Sequence, residues 1–247
     1  RLHVEGNAFV DPDSTPVVLR GVSLINLAAQ HYWRDGVPAM IDRLTGEGWG
    51  TRVLRFPIYV TDPPNPFPLA DRATREQYMR DILRPAVDHA TRKGLYVIID
   101  FHEISNVTAE KDAMARAFWR YMAGQFADYE NVIYELFNEP IDKGSGCVSG
   151  DNDDCWPPFK AQAEGWTAIV RESAPSTLVL VGGPSWSQVI GPAADDPVGD
   201  PNVGYVGHIY PTHTNGGNDD VEQQIRRCAA VHPVILTEWG FGFAGRD

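Results

Sequence analysis

Short apolar segments rich in β-forming residues recur along this chain of 247 residues, and stretches with the spacing of amphipathic helices separate most of them. Seven such segments predict strands at 17–24, 51–58, 96–101, 131–137, 177–183, 203–210 and 233–239. The intervening patterns predict helices at 38–48, 74–93, 110–129, 159–173 and 221–231. Several of the strands are nearly continuous apolar runs, which is typical of parallel strands covered on both faces. The alternation therefore predicts an α/β fold built around a parallel sheet.

Two architectures fit this alternation, the doubly wound sheet and the barrel. A doubly wound sheet usually carries a glycine-rich phosphate loop, and neither G-x-G-x-x-G nor G-x-x-x-x-G-K-[ST] follows any predicted strand. We therefore predict a TIM (β/α)8-type barrel. Residues 2–19 alternate apolar and polar side chains around turn residues at Asn7 and Asp11, which predicts an N-terminal β-hairpin. An eighth strand is missing from the pattern, so we expect a barrel that is truncated, open or completed in an unusual way.

The composition indicates one globular domain over residues 1–247, because 43% of the residues are hydrophobic and a chain of this length buries a large core. The 21 basic and 33 acidic residues give a net charge of −12, which disfavours nucleic acid and anionic membranes as partners. No uncharged apolar run approaches the ~20 residues that span a bilayer. We expect a monomer whose substrate is neutral or cationic.

The cysteines suggest an oxidising compartment. Cys147 and Cys155 bracket the polar stretch GCVSGDNDDCW, which predicts a disulfide-closed loop, with two unpaired thiols as the alternative. Cys228 lies on a predicted helix and is expected to be a buried free thiol. The chain starts at Arg1 without a visible signal peptide, so we expect a secreted protein whose signal peptide has been removed.

The carboxyl ends of the predicted strands carry most of the chemistry. In a barrel, these ends surround the active site. The polar and aromatic residues there are Arg55, Asp100, His102, Glu103, Asn138, Glu139, Ser185, Trp186, His208, Tyr210, Glu238 and Trp239. Because six predicted strands end in this way, we expect these side chains to form one site.

Glu139 and Glu238 end the fourth and seventh predicted strands, so they can face each other across the barrel mouth. Glycoside hydrolysis needs such a pair, since one group protonates the leaving oxygen and the other attacks the sugar or activates water. A tight barrel favours the separation of about 5–5.5 Å that belongs to the retaining mechanism. The alternative for either residue alone is a salt-bridged carboxylate at a strand end.

The segments LFNEP (136–140) and LTEWG (236–240) resemble the acid/base and nucleophile motifs of glycoside hydrolase family 5, the cellulase family. The segments LRGVSL, LRFPI, VIIDFHE and HIY resemble other strands of the same family in the same order. The resemblance implies a retaining glycosidase on a (β/α)8 barrel, with Glu139 as acid/base and Glu238 as nucleophile.

The resemblance also implies supporting roles. Asn138 would bind the sugar 2-hydroxyl, Arg55 and Tyr210 would orient the nucleophile, and His102 and His208 would line the −1 subsite. The implied activity is cleavage of β-1,4-linked polysaccharide by double displacement without a cofactor. A β-mannanase or an exo-β-glycosidase is the nearest alternative. The family's eighth strand normally ends in a Trp beneath the −1 sugar, and no residue here takes that place. A catalytically impaired carbohydrate-binding barrel is therefore an alternative of another class.

Aromatic residues in or beside the strand-end loops are candidates for stacking on sugar faces, and packing within the loops is the alternative. They are Trp33, Trp156, Trp186, Trp239, Phe67 and Tyr59, with Trp33 and Trp186 as first choices. The remaining tryptophans, Trp49, Trp119 and Trp166, lie on predicted helices or helix ends and are expected in the core.

Two segments invite a metal interpretation. Asp100 and His102 resemble a ligand pair of hydrolytic metallobarrels, but no second His-x-His motif or candidate carboxylated lysine accompanies them. The acidic stretch 151–154 lacks the spacing and the bidentate glutamate of an EF-hand, which favours a solvated loop over a calcium site. We therefore expect no metal and no cofactor.

Overall fold

The computed structural model describes residues 1–33, 35–61, 66–141, 152–210 and 221–240, without the side chains of residues 32, 33 and 152. Its strands are β1 (His3–Glu5), β2 (Ala8–Val10), β3 (Gly21–Ser23), β4 (Val53–Tyr59), β5 (Tyr96–His102), β6 (Ile104–Ser105), β7 (Val132–Glu135), β8 (Glu139–Pro140), β9 (Val179–Val181), β10 (Val203–Ile209) and β11 (Val234–Trp239). Its helices are α1 (Leu27–Trp33), α2 (Val37–Leu44), α3 (Arg72–Tyr78), α4 (Arg84–Arg92), α5 (Ala109–Gln125), α6 (Trp156–Ser173) and α7 (Val221–Ala229). Among the described helices, none is long and apolar enough to cross a membrane.

Seven strands form one parallel sheet in the order β11-β10-β9-β7-β5-β4-β3, with helices packed outside it. Side chains alternate across the sheet. On β5, Ile98 joins an inner cluster, whereas Val97 and Ile99 pack into the larger core beneath the helices. This arrangement confirms the predicted α/β barrel.

The predicted N-terminal hairpin is also present. Strands β1 and β2 pair antiparallel around a turn in which Gly6 adopts a φ of 58°. Phe9 of β2 reaches the inner cluster of the barrel, and a Cβ on Gly204 would lie 2.4 Å from its ring. The hairpin therefore closes the end of the barrel opposite the carboxyl ends of the strands.

The barrel is nearly closed rather than closed. In the described ranges, no strand lies between β3 and β11, and the seam between them lines a cavity of about 1120 Å³. Trp49 lines this seam with 59% of its surface exposed, so its predicted core position is wrong. The reason is local: Gly48 and Gly50 adopt φ values of 90° and 62°, which holds Trp49 in a turn after α2. Trp119 and Trp166 are buried as predicted.

Two helical segments differ from the sequence pattern. Helix α1 was not predicted because seven residues are too few for a clear period; Asn26 caps it by accepting the Ala29 backbone N–H at 3.1 Å. The helix predicted at 74–93 begins two residues earlier and consists of α3, a π-helical turn at Met79–Leu83 and α4.

Helix α5 shows how the outer layer positions the site. Its N-terminus is capped by Thr108, which accepts the Lys111 backbone N–H at 3.3 Å. Its buried face includes Trp119, a side chain of the size whose burial contributes roughly 1.5–3 kcal/mol. The indole Nε1 donates to the carbonyl oxygen of Leu136 at 3.0 Å. The helix thus anchors the segment that leads from β7 to Glu139.

Candidate active site

The carboxyl ends of the parallel strands bring most of the predicted site residues together. Direct side-chain hydrogen bonds or ion pairs connect Arg55, Asn138, Glu139, His208, Tyr210 and Glu238. Strand register explains part of this, because parallel pairing sets His208 of β10 beside Glu238 of β11. The seam leaves this end of the barrel open to solvent through the cavity lined by Glu238, Tyr210 and His102.

Glu238 is held by two donors. Nη1 of Arg55 lies 2.8 Å from Oε1, and the hydroxyl of Tyr210 donates to Oε2 at 2.9 Å. Burial alone would raise the pKa of Glu238, but the positive charges of His208 and Arg55 and the Tyr210 hydrogen bond outweigh burial and lower that pKa. The side chain is 20% exposed, so an ionised carboxylate faces the cavity.

Glu139 occupies a different environment. Its Oε1 lies 2.9 Å from Nδ1 of His208, and its side chain is 12% exposed. Its backbone is fixed by β8, whose Glu139 N–H donates to the carbonyl oxygen of Glu103 at 3.0 Å. One carboxylate oxygen of Glu139 lies within 4.8 Å of one of Glu238. The two carboxylates therefore face each other, one beside an arginine and the other beside a histidine.

Glu139, His208 and Glu238 place three possible metal-ligand atoms within 4.8 Å of one another. A metal would need a neutral His208. Burial lowers the pKa of His208, but the carboxylates of Glu135, Glu139 and Glu238 outweigh burial and raise it to about 9. Near neutral pH the side chain of His208 is therefore an imidazolium, whose second proton competes with any metal. The expected absence of a metal stays a prediction.

Arg55 lies at the centre of the site and is almost completely buried. Its Nη2 donates to Oδ1 of Asn138 at 2.6 Å and pairs with Asp100 at 2.9 Å. Its Nε and Nη2 donate to the two oxygens of Glu135, both at 2.8 Å. Glu135 was missed by the sequence reasoning, although an acidic residue inside the apolar run NVIYELF was a usable signal.

His102 and Asn138 have defined orientations. Nδ1 of His102 lies 2.6 Å from Oδ2 of Asp100, and the ring lies 4.2 Å from that of Tyr59. Asn138 is fully buried, and its Nδ2 has no hydrogen-bond partner among the described residues. A buried amide donor that lacks a partner among the described residues is suited to a hydroxyl of a bound molecule.

Trp186 stands on an unusual turn beside the site. Ser185, Trp186 and Ser187 have φ values of 59°, 60° and 57°, a left-handed run that costs free energy in L-residues. The turn is anchored by Ser187, whose hydroxyl donates to the carbonyl oxygen of Asn138 at 2.6 Å. Trp186 is 38% exposed. The turn thus presents an indole next to β8.

The other aromatic candidates divide into two groups. Trp239 and Tyr59 line the cavity, as a contact to a bound molecule requires. Trp156 and Phe67 are buried, so the interpretation of these two as exposed stacking residues is wrong. Nε1 of Trp156 donates to the carbonyl oxygen of Asp196 at 2.8 Å, and the ring packs in the outer core. Trp33 ends α1, and its side chain lies outside the described part of the chain.

The predicted disulfide loop lies mostly outside the described residues, Cys147 among them. Cys155 is buried just before α6, and the disulfide stays a prediction. Asp151 also lies outside the described ranges, whereas Asp153 pairs with Arg227 at 2.7 Å. Cys228 is buried and free, as predicted.

Comparisons with known proteins agree with this geometry. The sequence model of the cellulase family, glycosyl hydrolase family 5, matches residues 10–246. Endoglucanase A of Butyrivibrio fibrisolvens is 30% identical over 252 residues, covering 100% of this chain and 53% of that protein. Endoglucanase A of Evansella cellulosilytica is 32% identical over 239 residues, covering 94% of this chain and 43% of that protein. The chain spans about half the length of the curated relatives it matches.

Solved structures share the barrel. The catalytic domain of a Thermobifida fusca endoglucanase has a TM-score of 0.75 at 25% identity, over 100% of this chain and 76% of that chain. A β-glucanase of Saccharophagus degradans in complex with cellotetraose shares the fold, with a TM-score of 0.78 at 22% identity over 100% of this chain and 74% of that chain. The resemblance seen in the motifs is therefore confirmed, and the chain belongs to the cellulase family, glycosyl hydrolase family 5.

Proposed function

We propose that this chain is a retaining β-glycoside hydrolase that cleaves β-1,4-linked glucan. One observation carries the proposal: carboxylate oxygens of Glu139 and Glu238 lie within 4.8 Å of each other. Retaining enzymes hold their two carboxyl groups about 5–5.5 Å apart, whereas inverting enzymes need about 6.5–9.5 Å to admit water. The approach of the two residues therefore favours double displacement.

The environments of the two residues support different roles. Glu238 is kept ionised by His208, Arg55 and Tyr210, as a nucleophile must be. Glu139 adjoins the protonated His208, which places a proton beside it. In the first step Glu139 donates a proton to the glycosidic oxygen while Glu238 attacks the anomeric carbon, so the glycosidic bond breaks and an ester forms. In the second step Glu139 removes a proton from water, whose oxygen attacks the same carbon and releases Glu238.

The neighbouring side chains suit a sugar in the −1 position. The free Nδ2 donor of Asn138 supports its assignment to the 2-hydroxyl. His102 is oriented by Asp100 at the rim of the cavity, and His208 lies between the two glutamates. Among the described side chains, Trp186, Trp239 and Tyr59 offer aromatic surfaces for stacking on further sugar units.

The substrate class is inferred from relatives. The curated relatives are named endoglucanases, and a variant of the Thermobifida fusca catalytic domain was crystallised with cellotetraose. We extend that substrate class to this chain as a single catalytic domain. The proposal includes a monomeric, secreted protein that closes its acidic loop with Cys147 and Cys155.

Hydrolysis of carboxymethyl-cellulose, mannan and xylan tests the substrate. We expect reducing ends to be released fastest from carboxymethyl-cellulose. A preference for mannan would instead identify the chain as a mannanase. Proton NMR of the first product then tests the mechanism, since retention gives the β-anomer initially. An initial α-anomer would contradict double displacement.

Glutamate variants test the residue roles. Glu139→Gln and Glu238→Gln should each lower turnover by orders of magnitude without unfolding the chain. Glu76→Gln, on the exposed helix α3, is the matched control and should keep full activity. Azide added to Glu139→Ala should give the β-glycosyl azide, because azide then attacks the glycosyl-enzyme. Near-normal turnover in Glu238→Gln would exclude it as the nucleophile.

The open seam favours a second candidate, a barrel that binds β-glucan without turning it over. The cavity along β3 and β11 is continuous with Glu238, where added solvent would disturb the site. An activated aryl β-cellobioside distinguishes the two candidates. A burst of phenol equal to the enzyme concentration supports the hydrolase, whereas binding of cellotetraose without any phenol supports the binding protein.

A further inference from the structure

Glu135 is a buried carboxylate that the two proposed steps do not use. It ends β7 with no exposed surface, inside the barrel beneath the site. Its Oε1 accepts hydrogen bonds from Nη2 of Arg55 at 2.8 Å and from the hydroxyl of Thr237 at 3.1 Å. Its Oε2 accepts from Nε of Arg55 at 2.8 Å. A charge buried without solvent is costly, so such complete pairing indicates a specific role.

Two short paths lead from Glu135 to the catalytic carboxylates. The first runs through Arg55, whose Nη1 lies 2.8 Å from Oε1 of Glu238. The second runs through Thr237, whose hydroxyl oxygen lies 3.0 Å from Nε2 of His208. The opposite ring nitrogen of His208, Nδ1, lies 2.9 Å from Oε1 of Glu139. Glu135 is thus connected to Glu238 through one residue, Arg55, and to Glu139 through two residues, Thr237 and His208.

The second path fixes where protons lie. A threonine hydroxyl has one hydrogen, and that of Thr237 points to Glu135. Its oxygen must therefore accept from His208, which puts a hydrogen on Nε2. The other ring nitrogen, Nδ1, then either donates to an ionised Glu139 or accepts from a protonated one. In both cases the His208–Glu139 pair holds one proton more than a neutral imidazole and an ionised carboxylate would hold.

We propose that Glu135 is a positioning residue, which holds Arg55 against Glu238 and, through Thr237, keeps on the His208–Glu139 pair the proton that the leaving group receives. This inference rests on the hydrolase function proposed above. His208 thereby gains a second role, because its imidazolium stabilises the ionised form of Glu139 before the leaving group takes the shared proton, after which His208 is neutral.

The surrounding charges single out Glu135 rather than Asp100, the other buried carboxylate on Arg55. Burial dominates at Asp100 and raises its pKa. Burial would also raise the pKa of Glu135, but the charge and hydrogen bonds of Arg55 and the positive charge of His208 outweigh it and lower that pKa to about 2. Glu135 therefore carries the negative charge.

His208 is faced by carboxylates from three elements. They are Glu135 of β7 at 3.9 Å, Glu139 of β8 at 2.9 Å and Glu238 of β11 at 3.9 Å. Two of these are the reacting groups, whose charges change during the proposed cycle. Only Glu135 of the three keeps a constant charge through both steps, because it never touches the sugar in the proposed mechanism.

The rate test uses Glu135→Gln and Thr237→Val, with Thr237→Ser as the conservative rescue. Loss of a negative charge near His208 makes the shared proton easier to remove. In Glu135→Gln the alkaline limb of the pH profile of kcat/KM should move to lower pH by about 1–3 units. Its kcat on an aryl β-cellobioside should fall about 100-fold as Arg55 shifts, with KM little changed. Thr237→Val should move the limb by less, and Thr237→Ser should restore it.

A second test needs no turnover. NMR of protein labelled at histidine follows the titration of His208, whose signal is the one missing in His208→Gln. Its pKa should fall in Glu135→Gln and in Thr237→Val, and should stay in place in the control Asp100→Asn. If Glu135→Gln does not fold, the His208 titrations of Thr237→Val and Thr237→Ser alone test the inference.

An unchanged His208 titration in the folded variants overturns the inference, whatever their activity. A different result would refute the hydrolase and retain the proton-holding network. In that case the wild-type protein hydrolyses no β-glucan or aryl glycoside, while the pKa of His208 still falls in Glu135→Gln and Thr237→Val. The two failures are therefore distinct.

Discussion

The hydroxyl of Tyr210 donates a 2.9 Å hydrogen bond to Oε2 of Glu238, from a residue that immediately follows the neighbouring strand β10. The bond depends on tertiary structure, because 28 residues separate the two side chains in sequence. The other oxygen of Glu238, Oε1, accepts a hydrogen bond from Arg55, so that each oxygen has its own donor.

Removal of this donor should weaken catalysis. We expect Tyr210→Phe to lower kcat by about 10- to 100-fold, since a hydrogen bond to a charged group contributes about 1.5–3 kcal/mol. The pKa of Glu238 should also rise, which moves the acidic limb of kcat/KM to higher pH. Aryl β-cellobioside kinetics from pH 4 to 8 measure both effects. The control is Tyr129→Phe, whose hydroxyl bonds Asp88 far from the site; equal losses in both variants would contradict the prediction.

The protonated His208 predicts a pH-dependent stability. Its pKa rises from 6.5 in an unfolded chain to about 9 in the folded protein, so its stabilising contribution is complete below pH 6.5 and is lost as pH rises through 9. His208→Gln should therefore cost more stability at pH 6 than at pH 10, by about 3 kcal/mol. Urea unfolding at pH 6, 8 and 10 measures the difference. A constant difference across this range would refute the assignment.

Trp186 should contribute to polysaccharide binding. Aromatic stacking contributes about 0.5–1.5 kcal/mol, so Trp186→Ala should lower kcat/KM on carboxymethyl-cellulose roughly 3- to 10-fold, mainly through KM. Trp49→Ala is the matched control, because Trp49 is also exposed but precedes β4 at the opposite end of the strands. The same loss in both variants would show that the effect is unspecific.

The contact between Phe9 and Gly204 predicts how the hairpin stabilises the barrel. A Cβ at position 204 would lie 2.4 Å from the Phe9 ring, so Gly204→Ala should cost about 1–3 kcal/mol of unfolding free energy. In a Phe9→Leu background, which removes the ring, the same change should cost clearly less. Chemical denaturation of the four proteins measures this coupling. Additive costs would mean that the hairpin does not fill the barrel end as described.

Much of the fold follows from local pattern. The β-rich runs of β4, β5 and β10 were predicted within two residues of their observed bounds, because parallel strands buried on both faces leave a continuous apolar signal. Segment lengths resist such reasoning. The segment predicted as a strand at 17–24 contains only Gly21–Ser23, since Val17 donates its N–H to Phe9 of the hairpin instead. The residue pattern of 17–24 alone does not reveal this pairing with the hairpin.

The sequence by itself determined the alternating α/β pattern, the barrel and the two glutamate motifs, because periodicity and strand-end chemistry are local properties. It did not determine how the glutamates differ. Arg55, Tyr210 and His208 distinguish Glu238 from Glu139 only once β4, β10 and β11 meet at one end of the sheet. The same holds for Glu135, an apparent anomaly in an apolar strand until Arg55 and Thr237 approach it from other strands. Charge and hydrogen bonding act through space, so only the tertiary structure decides them.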